Sequence, residues 1–341
     1  MIDLHVHLGG AVPAAVLWEI LCDGGLQTEF GSFDKLQDYL TVRFDEILSL
    51  DDFLGRYFHA TELIQSSPHA ASVAAYQAIA KAYRRSRIQG MELRYNPLKR
   101  IREGMHTLDS IIMATIQGLQ RASLHYGVKT GILFSLDKGG TLEGNWSIVE
   151  EAMRFRGQGG LRGAYGIVGI DIAGPESLGR EHDKDWLAHM AAMFDEARKV
   201  GLGLSWHVGE TAHTGPEAMI NVIETIRPDR IGRGIELRKA QGKQRDHLCG
   251  LLRERQICLE ICPTVNLVTR SIQDLKEIAD LIRLLDKEHI PFCLNTDNPY
   301  IVNTNLQREY DLIAEVLGDD AHLLDQAKSY ADQASFLQER A

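Results

Sequence analysis

The sequence predicts an α/β fold, a (β/α)₈ TIM barrel with a helical cap inserted after the first strand. Three observations carry that expectation: eight short apolar segments, amphipathic helical stretches between them, and polar residues of metal-binding type at the C-terminal ends of the segments. A parallel barrel does its chemistry at that end, where the loops leaving the strands converge.

The first segment, residues 1–7, is followed by a long stretch, about 12–87, with little strand character and with apolar-periodic pieces at 14–21 and 72–83. This stretch is the helical insertion. Segments 90–95, 129–136, 167–172, 203–207, 230–232, 257–261 and 291–294 then read as strands, which with the first makes eight. Helical patterns lie between them at 108–126, 186–200 and 275–287, the last with Leu275, Ile278, Ala279, Ile282 and Leu285 at helical spacing. They form an outer layer burying one face against the strands. No internal repeat, low-complexity segment or linker interrupts the pattern, so residues 1–341 read as one domain that contains the insertion.

Of the 341 residues, 44% are hydrophobic and 25% charged, the balance of a soluble globular protein. A net charge of −10 without a block of basic residues argues against a nucleic-acid partner and for a small-molecule substrate. The N-terminus lacks a charged region followed by an apolar one, and no apolar run approaches the ~18 residues of a membrane span. A cytoplasmic protein without membrane partner is therefore expected. Cys22, Cys249, Cys258, Cys262 and Cys293 are scattered without C-x-x-C pairs, which suggests neither a disulfide framework nor a thiolate zinc site. Nothing here sets an oligomeric state.

Residues i and i+2 of a strand share a face, so His5 and His7 project side by side. His207 ends Leu204-Ser205-Trp206-His207, and Asp297 follows the last strand, which puts all four at one mouth of the barrel. Three imidazoles and a carboxylate suit zinc or another borderline divalent ion and leave a position for water, the open coordination of a catalytic centre. Glu210, three residues beyond His207, is placed to move a proton between that water and a substrate. Its structural alternative is an acid at a helix N-terminus, favoured by the macrodipole. His213 reads as a surface-loop residue.

His5-Val6-His7, His207-Val208-Gly209-Glu210, Glu260-Ile261-Cys262-Pro263-Thr264 and Leu294-Asn295-Thr296-Asp297 follow one another in an order that resembles the adenosine deaminase family of the amidohydrolase superfamily. Glu92-Leu93-Arg94-Tyr95-Asn96-Pro97, Gly169-Ile170-Asp171-Ile172-Ala173-Gly174, Arg230-Ile231-Gly232 and Ser335-Phe336 extend the resemblance along the whole chain. It implies one zinc ion per chain, another divalent metal being compatible, at the positions of His5, His7, His207 and Asp297. It also implies hydrolytic removal of an exocyclic amine from adenosine or a related aminopurine or cyclic amidine. Glu210 then protonates ring N1, and the backbone N–H of Gly174 meets N3.

Three positions depart from the family pattern. Where the family has a histidine beside the attacking water, this chain has Arg233, which is always charged and is no general base. A fixed cation there stabilises activated water, which assigns Arg233 to catalysis. Alternatively its planar fork grips an anionic substrate, or it faces solvent. The family's ribose-holding aspartate is Gly9, and its second terminal aspartate is Asn298, whose amide can donate to purine N7 but cannot relay a proton. Three readings follow: a modified aminopurine deaminase, a hydrolase of an anionic substrate gripped by Arg233, and a weakly active or inactive paralogue that binds a purine or a protein partner.

Overall fold

The computed structural model describes residues 1–25, 30–43, 49–101, 106–159 and 163–338. Eight strands run β1 (Ile2–His7), β2 (Gly90–Tyr95), β3 (Lys129–Asp137), β4 (Ala164–Ala173), β5 (Gly203–Val208), β6 (Arg230–Arg233), β7 (Cys258–Ile261) and β8 (Phe292–Leu294). Each pairs in parallel with the next, in sequence order. Just past β8, Asp297 N–H donates to His5 O and His7 N–H donates to Asp297 O, both at 2.8 Å, which joins the last strand to the first. The predicted barrel is the barrel observed.

Helices Leu108–Tyr126, Leu142–Arg154, Lys184–Lys199, Pro216–Ile226, Gly242–Glu254 and Lys276–Lys287 follow β2 to β7 in turn, and Leu306–Leu317 with Leu323–Ala334 follow β8. Local sequence sets their limits. In Leu108–Tyr126 the Thr107 side chain accepts from Ser110 N–H at the start, and Gly127, at φ 68°, ends the helix in the left-handed conformation. Between β1 and β2 lie Ala14–Asp23, Phe33–Leu40, Leu50–Phe53, His59–Ile64 and Pro68–Ser86, with a π turn at Leu54–Phe58. The expected insertion at about 12–87 is thus helical where described, and its residues 26–29 and 44–48 lie outside the described residues. Pro68–Ser86 buries Ala70, Ala71, Ala74, Ala75 and Ala78. These small side chains let Leu108–Tyr126 approach closely, and a Cβ on Gly118 would overlap the Ser72 carbonyl.

One strand begins earlier than periodicity predicts. β4 starts at Ala164, not 167, because Gly166 sits at φ 67° and the β3–β4 register shifts beside it. Such a bulge breaks the alternation that marks a strand in sequence. No helix among the described residues is long and apolar enough to cross a membrane.

The barrel interior carries a charged layer above an apolar cluster of Leu133, Val168 and Phe336. Glu92, Arg94, Asp171, Arg230 and Glu260, from β2, β4, β6 and β7, are all fully buried and meet one another across the barrel. Arg230 reaches Glu92 at 2.5 Å and Glu260 at 2.6 Å, and Arg94 reaches Glu260 at 2.9 Å and Asp171 at 3.3 Å. Charges stay in such a place only when paired. Below them Phe336 lies 3.7 Å from the Arg230 guanidinium, and its N–H donates to Glu92 at 2.6 Å, so the C-terminal segment caps the lower end.

Candidate active site

His5 and His7 share one face of β1 and meet His207 from β5. Their ring centroids lie 5.3 Å (His5–His7), 4.6 Å (His5–His207) and 5.3 Å (His7–His207) apart. A nitrogen from each falls within 4.8 Å of the others. Burial disfavours the charged ring, which lowers the His7 pKa to about 3 and the His5 pKa well below its ordinary value. Both are therefore neutral donors near pH 7.

Carboxylates set the ring tautomers. His5 Nδ1 lies 2.5 Å from Glu260 Oε2, and His207 Nδ1 lies 3.0 Å from Asp171 Oδ1. Glu260 is ion-paired with Arg94 and Arg230, and Asp171 with Arg94. Burial works against the charged form of Asp171, yet His207 and Arg94 hold its carboxyl far below the usual range. Each Nδ1 is then the donor, and each Nε2 presents a lone pair. The two Nε2 atoms face each other at 3.0 Å. Two lone pairs so close repel unless a cation lies between them, so this donor set fits a divalent metal ion.

Asp297 joins the cluster, with Oδ1 at 3.4 Å from His7 Nε2 and 3.9 Å from His5 Nε2. Its backbone is left-handed, φ 61°, a strained conformation kept by the two backbone bonds to β1. Its carboxyl stays below the usual range: burial opposes the charge, and Arg233 and His7 outweigh it. Cys262 is a further neighbour that sequence reasoning did not single out, with Sγ within 4.8 Å of donors on His5 and Asp297. Burial pushes its thiol well up, and it donates to Glu260 O at 3.7 Å.

Glu210 is 3% exposed and precedes the short turn Ala212–Thr214, while the following helix begins only at Pro216. It is therefore not a helix-terminal acid. The Glu176 carboxylate accepts from Glu210 N–H at 3.2 Å and Thr211 N–H at 2.6 Å, fixing the loop after β5 to the loop after β4. Burial raises the Glu210 pKa, against the pull of Arg233. Oε1 has no partner among the described residues, so one face of the carboxyl remains open for a proton transfer.

Arg233 ends β6 at φ 81° and is 3% exposed, which overturns the solvent-facing alternative. Nη2 donates to Asp297 Oδ2, Nε lies 3.4 Å from Glu210 Oε2, and Nη1 has no partner among the described residues. One cation thus spans the carboxylates that begin and end the site. Asn298 Nδ2 donates to Asp297 Oδ1 at 2.6 Å, and its side chain packs where a Cβ on Gly10 would fall. Gly174, at φ 138°, lies where any side chain would meet Asp137 and Lys138 at 3.2 Å. A side chain at Gly9 would press on Thr61 Oγ1 at 2.9 Å. His213 is exposed, as expected.

His7, Gly9 and Gly174 line a cavity of about 660 Å³, with Leu54, Phe58 and Leu136 among its apolar walls. That volume suits a small organic ligand. Asp171, Glu260 and Arg94 lay inside sequence segments already noted, but no role attached to them. The available signal was a charge in the middle of an apolar strand.

Residues 1–341 match the family model described as adenosine deaminase. An adenosine deaminase of Clostridium perfringens is 26% identical over 340 residues, covering 99% of this chain and 94% of the relative. An aminodeoxyfutalosine deaminase of Acidothermus cellulolyticus is 29% identical over 329 residues, covering 95% and 84%. In fold, the crystal structure of an adenine deaminase from Arthrobacter aurescens superposes with a TM-score of 0.81 at 16% identity, covering 99% of this chain and 94% of that one. With the barrel, the histidine cluster and a family match from first residue to last, the chain belongs to the adenosine deaminase family of hydrolytic deaminases.

Proposed function

We propose that this protein is a zinc-dependent hydrolytic deaminase of adenosine or a related aminopurine or cyclic amidine. The observation that carries the reading is the pair of Nε2 lone pairs on His5 and His207, held 3.0 Å apart by the carboxylates behind them. His5, His7, His207 and Asp297 would hold the ion. When bound, it lowers the pKa of water from 15.7 to ~7 and so makes a nucleophile available at neutral pH.

The chain's own residues do the rest. Burial favours the protonated form of Glu210, and its unpartnered Oε1 is the edge that would pass a proton to the ring nitrogen beside the carbon under attack. Protonation there keeps negative charge off the ring while ammonia leaves. The Gly174 N–H meets N3, and the second N–H of the Asn298 amide meets N7. Arg233 stays on Asp297 and Glu210, where its charge steadies anionic oxygen near both. Its Nη2 and Nε are directed at these two carboxylates, which favours this role over a grip on the substrate. Residues 1–341 act as one domain, with the 12–87 insertion as a cap whose Leu54 and Phe58 wall the cavity. A net charge of −10 accords with a cytoplasmic enzyme of small molecules without nucleic-acid partner.

Metal analysis joined to an ammonia assay tests this. The purified chain should carry about one divalent ion, lose ammonia release on chelation and regain it with zinc, and His207→Asn should lose both ion and turnover. A chain that holds no stoichiometric metal and releases no ammonia from any aminopurine when zinc is supplied would end the reading. Arg233 makes a second prediction. Replacing it with methionine removes the cation that favours the Glu210 carboxylate, so the Glu210 pKa should rise further. Because the acid works protonated, the alkaline limb of the kcat profile should move to higher pH. A limb that stays in place would show that the Arg233–Glu210 pair does not set it.

A further inference from the structure

The cavity that His7 and Gly174 line also has Lys99 and Arg100 in its wall, just beyond β2. Lys99 is 45% exposed and pairs with Asp137 at 2.8 Å. Arg100 differs. It is 3% exposed; among the described residues its guanidinium donates only from Nη1, to Gln65 Oε1 at 2.5 Å, and it lies over the Tyr95 ring, 5.7 Å from the centroid. Nε has no hydrogen-bond partner, and Arg100 forms no ion pair among the described residues. The acid that acts on it from a distance is Glu62, also in the cavity wall, whose own charge is disfavoured by burial. A buried cation without a contacting anion is unfavourable unless something else supplies the anion.

A planar guanidinium with an unsatisfied edge matches phosphate or carboxylate oxygens, which accept two parallel N–H bonds. Gly9 stands at the same end of the cavity, because Gln65, the acceptor for Arg100, donates from Nε2 to Gly9 O at 3.5 Å. At Gly9 the backbone carries no acid to repel an anion, and Thr61 Oγ1, 2.9 Å from where a Cβ would stand, occupies the space beside it. We propose that Arg100, assisted by Lys99, binds an oxyanion carried by the substrate, a phosphate or carboxylate on the substituent of the aminopurine. This names the substrate class of the deaminase reading above and rests on it.

The test separates binding from turnover. Ammonia release is measured for the zinc-supplied wild-type chain with adenosine, adenosine 5′-monophosphate and adenosine-5′-carboxylate. Affinity for the same three is measured by calorimetry in the Glu210→Gln background, where the ligand survives. At least one anionic ligand should bind tenfold or more tighter than adenosine, and the better of the two identifies the oxyanion as phosphate or carboxylate. Arg100→Gln should collapse that ratio toward one. Glu62→Gln, which removes an opposing negative charge, should widen it several-fold, and this variant keeps the test decisive if Arg100→Gln does not fold. Equal affinity for all three ligands, a ratio that survives in folded Arg100→Gln, or weaker anion binding in Glu62→Gln would each overturn the proposal. Ammonia from adenosine with no anion preference defeats the oxyanion site alone. Anion-selective binding with no ammonia from any ligand upholds the site and defeats the deaminase reading.

Discussion

Glu210→Gln should lower kcat for deamination by two to four orders of magnitude, the usual worth of a positioned proton donor. The glutamine keeps the shape and leaves the backbone bonds from residues 210 and 211 to Glu176 in place, so the fold and the bound metal should persist. It has no proton to give to the ring nitrogen. The sign with pH follows from the raised pKa: the wild-type rate should fall as pH climbs through it, and that alkaline limb should vanish in the variant. Steady-state ammonia release across pH, with metal content measured alongside, checks both statements. A variant that keeps the wild-type rate would take the proton transfer away from Glu210.

The second large effect is on stability. Glu260→Leu should destabilise the fold by about 3–5 kcal/mol, the cost of breaking a buried charge network by removing one partner. Glu260 accepts from Arg94 at 2.9 Å, pairs with Arg230 Nε at 2.6 Å and lies 2.5 Å from His5 Nδ1, all fully buried. Leucine leaves two guanidinium groups short of an anion in the barrel centre. It also removes the acceptor that holds the His5 tautomer, so metal affinity should fall as well, by about 10–100-fold. Urea titration followed by metal competition separates the two losses. A midpoint within error of wild type would show that the remaining acids, Glu92 and Asp171, suffice to hold both arginines.

The strands were readable because parallel barrel strands, covered on both sides, appear as short apolar runs, and 90–95 coincides with the observed β2. β4 was misplaced at its start because Gly166 turns the chain out of alternation there, an event that leaves no periodic trace. In the same way the H-x-H pattern made His5 and His7 conspicuous, whereas Asp171, Glu260 and Arg94 stood one by one inside apolar strands. Each lacks a partner nearby in sequence: Glu260 is 166 residues from Arg94 and 255 from His5. Their roles depend on contacts across the barrel.

Sequence alone determined the architecture and the inventory of chemistry at the strand ends, because side-chain alternation and segment order are local properties. Which partner each charge finds was decided by tertiary structure. Arg233 could have faced solvent, gripped a ligand or joined the site, and only the left-handed turns at residues 233 and 297 bring its guanidinium onto Asp297 and Glu210. The same closure of the barrel left Arg100 buried without a contacting anion among the described residues, since an electrostatic deficit depends on distances that no local pattern encodes.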